Sequence, residues 1–108
     1  MEIYQIKALD CTKKKNRKKL AKEVSTLLGR DSALSKEQIK KAATSISKKY
    51  DMYIQLIKNS EIRENAIIVS VNTGHGYSTY HANTLYEVYA KFILMVHEYY
   101  KLSKMEPK

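Results

Sequence analysis

Apolar positions recur along this chain in two rhythms, one of three to four residues and one of two, and each rhythm marks out expected elements. Residues 2–8, EIYQIKA, crowd Ile3, Tyr4, Ile6 and Ala8 together among β-favouring types, which predicts a short strand. Thr12 suits a helix N-cap, and Leu20, Val24, Leu27 and Leu28 then repeat at helical spacing as far as Gly29, a residue type favoured just past a helix end. A first helix is therefore expected from about Lys13 to Leu28. Ser35 and Gln38 have capping-box spacing, and beyond them Ile39, Ala43, Ile46, Tyr50, Tyr53 and Ile57 fall at alternating steps of four and three. That stripe predicts a second helix of about six turns. A rival reading ends the helix near Lys49 and makes MYIQLI a strand, because Met52, Ile54 and Leu56 alternate with Tyr53, Gln55 and Ile57. The unbroken stripe favours the helix.

NSEIREN is polar and turn-forming, and AIIVSVN after it is a run of β-branched residues, the strongest strand signal in the chain. TGHGYSTYHAN is then expected as a loop with two glycines, and Thr84 with Glu87 as a capping box opening a last helix that continues to about Leu102. The expected fold is α+β and predominantly helical: three helices with a small two-stranded sheet, in the order β-α-α-β-α, forming one domain over residues 1–108. Between Leu85 and Val96 the last helix carries only Glu87 and Lys91 as charges, so it is apolar on nearly every side. A helix of that kind is buried all round, and a short monomer has little material to wrap it. A homodimer or protein partner is therefore expected on this helix, through Tyr86, Tyr89, Phe92, Ile93, Val96, Tyr99 and Tyr100.

Charge divides the chain in two. Residues 1–58 carry a net +9, whereas residues 59–108 are neutral and tyrosine-rich. One-sided positive potential favours phosphate-rich partners, although a lysine-rich composition spread over solvated helix faces produces the same numbers. No apolar stretch approaches the length of a membrane span, so no membrane association is expected. The single cysteine, Cys11, has no Cys or His spacing around it for zinc or a disulfide, and a cytoplasmic location fits best.

The sharpest charge feature is KKKNRKK, which sets Lys13, Lys14, Lys15, Arg17, Lys18 and Lys19 at the start of the first helix. Cations there oppose the helix macrodipole, and phosphates would offset the repulsion. Lys36, Lys40 and Lys41 extend the patch onto the second helix. Two successive helices with Gly29 between them invite comparison with a helix-turn-helix, but the connector and the second helix are both longer than that motif uses. The passage AIIVSVNTGHGYSTYHAN resembles, in local pattern alone, the strand, glycine turn and helix of double-stranded-RNA-binding modules. It lacks their lysines, so no function is carried over.

Gly74, His75, Gly76, Ser78 and His81 make the glycine loop a candidate anion or ligand loop, although neither GxxxxGK[ST] nor GxGxxG is present. A tight turn explains the same glycines. His75 and His81 could also serve as acid and base in metal-independent RNA cleavage, a minor alternative to a non-enzymatic role. Their spacing to each other and to Glu87 matches no metal motif, and no metal or cofactor is expected. The leading expectation is a small, basic, non-enzymatic DNA- or RNA-binding regulator. The alternative is an inhibitor of the kind a phage or mobile element encodes, binding a host nucleic-acid enzyme through the tyrosine-rich half.

Overall fold

A computed structural model of the chain describes residues 1–58, 67–72 and 76–105. The class is α+β and mostly helical, with four helices and a three-stranded antiparallel sheet. In chain order these are α1 (Ile3–Ala8), α2 (Lys14–Leu27), α3 (Lys36–Tyr50), β1 (Tyr53–Lys58), β2 (Ile67–Asn72), β3 (Tyr77–Ala82) and α4 (Leu85–Met105). The sheet order is β1-β2-β3, with Val69 opposite Leu56 on one side and Tyr80 on the other.

Three expectations are corrected. The segment 2–8 is a helix: the Gln5 side chain accepts from the Glu2 backbone N–H at 2.9 Å, and Ile6 is buried against the rest of the core. The second helix stops at Tyr50, where Asp51 takes a left-handed conformation (φ 53°) and the Met52 N–H bonds back to the Ser47 carbonyl. Residues 53–58 are then free to extend, which satisfies their backbone groups by pairing with β2, as the rival reading required. Finally, Tyr77–Ala82 is a third strand and not loop, with Tyr80 and Ala82 turned into the core and Tyr77, Thr79 and His81 turned out.

Other local signals hold. Ser35 and Gln38 form a capping box, Ser35 N–H donating to Oε1 of Gln38 at 2.8 Å while the Ser35 hydroxyl accepts from Gln38 N–H at 3.2 Å. Past the end of α2, Gly29 (φ 69°) completes a Schellman turn, with Arg30 N–H on the Ser25 carbonyl and Gly29 N–H on that of Thr26. Thr12, by contrast, does not cap α2. Its hydroxyl bonds to Asp10, Lys13 is the cap residue, and no side chain caps the helix start.

The apolar α4 is wrapped within a single chain. α1, α2 and α3 all pack on it, and it also meets β2 and β3. Phe92, Ile93 and Val96 are fully buried in this core and unavailable as an interface, so the premise for a dimer, an unwrapped apolar helix, does not hold. Tyr86, Tyr89 and Tyr99 are half-buried against the core, and Tyr100 lies at the surface with its ring 4.9 Å from that of Tyr50 on α3. Among the described residues no helix is long and apolar enough to cross a membrane.

Candidate nucleic-acid interface

α2 buries Leu20 and Val24 on α4, and this fixes which way its polar side chains point. Lys13, Lys14, Lys15, Lys18 and Lys19 are all exposed, and no ion pair or side-chain hydrogen bond holds them among the described residues. The first turn of α2 has no acidic residue and no side-chain cap, so Lys13, Lys14 and Lys15 sit against the positive end of the helix dipole with no ion-pair partner among the described residues. Arg17 is the exception in the run. One guanidinium nitrogen donates to the carbonyls of Cys11 (3.1 Å) and Thr12 (2.9 Å), folding the side chain back to brace the helix entry.

α3 repeats the arrangement. Ile39 and Ala43 face the core, so Lys36, Lys40, Lys41 and Lys48 face solvent, with Glu37 as the one acidic residue in the first turn. Lys40, Lys41 and Lys48 line a shallow groove of about 560 Å³ along the helix. Thr44 and Lys48 belong also to a second groove, of about 300 Å³, whose far wall is Tyr53, Ile54 and Leu56 of β1. α2 and α3 each use α4 as their main packing surface, unlike the two helices of a helix-turn-helix, which pack on one another.

Of the glycine-loop residues, the described ones are not brought together. Gly74 and His75 lie outside the described residues. Gly76 has φ 139°, a conformation that favours glycine. The pleat of β3 then sends Ser78 and His81 to opposite faces: Ser78 points towards the helices, its hydroxyl buried without a partner, whereas His81 is exposed on the open face. His97 is exposed on α4. Among the described residues no cluster of three or more His, Cys, Asp or Glu could hold a metal ion.

One constellation escaped the sequence reading. Glu87 and Lys91 of α4 are 3% and 1% exposed and form an ion pair at 2.9 Å. They floor a cleft of about 420 Å³ between α1, β3 and α4, lined further by Lys7, Asp10, His81 and Asn83. A buried lysine in a cleft invites a catalytic reading, but its valences are spent. Lys91 Nζ donates to the carbonyls of Leu9 (2.9 Å), His81 (3.3 Å) and Lys7 (3.4 Å) as well as to Glu87. The other carboxylate oxygen of Glu87 accepts from the backbone and side-chain nitrogens of Asn83 (3.0 and 3.3 Å). An ammonium has three protons, and four acceptors surround this one. The pair is a clamp that ties the end of α1 and the end of β3 to α4. Its signal was visible as a Glu and a Lys four apart in an otherwise apolar helix.

The clamp perturbs its neighbours. Burial, and then the Glu87 carboxylate, pushes the Cys11 thiol up to about 11. The same two causes raise Tyr80, whose hydroxyl donates to the Val88 carbonyl at 2.7 Å within the core. Neither group is poised for proton transfer near neutrality. No family model, curated protein or solved structure matches this chain.

Proposed function

We propose that this protein binds nucleic acid without acting on it chemically, holding phosphates through the exposed lysines of α2 and α3. The observation that carries this reading is the state of those side chains: Lys13, Lys14, Lys15, Lys18 and Lys19 are exposed in the first two turns of α2, with no carboxylate among the described residues in ion-pair contact with them. Packing such charges together costs repulsion, and a polyanion reverses its sign by releasing condensed counterions. Phosphate contacts of this kind give affinity and register without sequence readout. Arg17 serves the helix entry more than the ligand, since its guanidinium already donates to Cys11 and Thr12.

A second reading is a protein-binding regulator or inhibitor. It is favoured by the exposed Leu56 and Tyr53 along the groove between α3 and β1. Mobility-shift assays at low salt with single- and double-stranded DNA and RNA separate the two. A shift that is lost when the five α2 lysines are replaced by glutamine supports the first reading. No shift with any of the four probes removes it and leaves the second.

A further inference from the structure

The face of the sheet turned away from the helices is polar and aromatic at the end that carries Tyr53, Asn72 and Tyr77, all three of which are exposed. Tyr53, Asn72 and Tyr77 are directly opposite one another in register across β1, β2 and β3, so they form one row on one face. The two tyrosines are among the most exposed large side chains of the protein, at 54% and 73%. Strand spacing places their Cα atoms about 10 Å apart. The next row is Gln55, Ser70 and Thr79, of which Gln55 and Thr79 are exposed and Ser70 is buried, and beyond it exposed His81 stands opposite half-buried Ile68. Two accessible rings, with the exposed Gln55 amide, Thr79 hydroxyl and His81 imidazole beside them, can stack bases and hydrogen-bond their edges.

Charge reaches this face from one side. Tyr53 shares a groove with Lys48, and Lys48 shares the adjoining groove with Lys40 and Lys41. A basic track on α3 therefore leads to one end of the tyrosine row. The pKa of the Tyr53 hydroxyl is raised above its ordinary value by the carboxylate of neighbouring Asp51, which ends α3 at that junction. A paired duplex hides its base faces and has no use for exposed rings, whereas an unpaired strand offers a base to each ring and a phosphate to each lysine.

We infer that the preferred ligand is an unpaired polynucleotide strand, its phosphates following Lys40, Lys41 and Lys48 and its bases stacking on Tyr53 and Tyr77. This rests on the nucleic-acid reading above and narrows it. The test is fluorescence anisotropy with labelled oligo-U and oligo-dT of about 15 nucleotides and a mixed-sequence duplex of similar length. Tyr53→Ala and Tyr77→Ala are each expected to weaken binding of at least one single strand roughly tenfold or more, with duplex binding unchanged. Tyr53→Phe and Tyr77→Phe keep the ring and should retain affinity. Tyr4→Ala, which removes an exposed tyrosine from α1, should change nothing. Single-strand affinity unaltered by both alanine variants, while the α2 lysine variant loses binding, overturns this inference and leaves the phosphate reading in place. No binding of any probe by the wild-type protein overturns both.

Discussion

Replacing Lys91 by Met tests the clamp at the centre of the fold, because methionine keeps an unbranched apolar stem as far as the ε position and removes the ammonium with its charge and donors. The ammonium is 1% exposed, pairs with Glu87 at 2.9 Å and donates to the Leu9 carbonyl at 2.9 Å. Each hydrogen bond from a charged group is worth about 1.5–3 kcal/mol net. The larger effect is on what is left behind: a carboxylate 3% exposed, with only Asn83 to satisfy it. Breaking one side of such a pair costs about 3–5 kcal/mol, a large part of the ~5–15 kcal/mol that holds a domain of this size together. With a urea slope of about 2 kcal/mol/M, the unfolding midpoint followed by circular dichroism should fall by roughly 2 M. Adding Glu87→Leu to the variant removes the orphaned carboxylate and should recover part of the loss, since the penalty belongs to the unpaired charge more than to the missing attraction. A single variant that loses less than about 1 kcal/mol, or one no less stable than the double variant, would refute the reasoning.

Three further outcomes follow from particular contacts. Gly29→Ala should cost about 1 kcal/mol in thermal or urea unfolding: nothing lies within 4 Å of the added Cβ, so the cost is that of holding φ at 69° and not a clash. For Cys11, both states keep the thiol proton below the ordinary value of 9.0; as pH rises from there towards about 11 the unfolded chain releases it and the folded chain does not. Stability should therefore fall across that window more steeply for the wild type than for Cys11→Ala, and identical pH profiles would contradict the assignment. Because α4 is wrapped by its own chain, sedimentation at micromolar concentration should find a 12.5 kDa monomer; a dimer would show that some other surface supplies the contact.

How much of this was legible in the sequence depended on whether the deciding interaction was local. The Ser35–Gln38 box, the Gly29 turn and the β-branched run of β2 are settled within a few residues, and all three stand where the pattern put them. The stripe from Ile39 to Ile57 fits a helix and, over its last third, a strand equally well. What decides it is that β2 needs a partner, and that pairing spans residues distant in sequence. β3 was hidden by its polar open face, and by two glycines whose turn signal drew the whole segment into a loop. Its inward Tyr80 and Ala82 kept a period of two that the loop reading passed over. α1 is too short for periodicity to separate from a strand. The basic run was legible as charge, and its exposure follows from the burial of Leu20 and Val24 on the opposite side of α2. The tyrosine row was not, because Tyr53 and Tyr77 meet only through β2. Glu87 and Lys91 were seen as interruptions of an apolar helix, when their partners are carbonyls some 80 residues away in the chain.

The claim that this protein grips phosphates through α2 is tested most directly by the slope of log K against log salt. Binding of a labelled nucleic acid should weaken steeply as salt rises. The combined variant Lys13→Gln, Lys14→Gln, Lys15→Gln, Lys18→Gln and Lys19→Gln should flatten that slope by about 0.7–0.9 for each phosphate contact removed. An unchanged slope in the variant, or no binding by the wild type at about 50 mM salt, would contradict it.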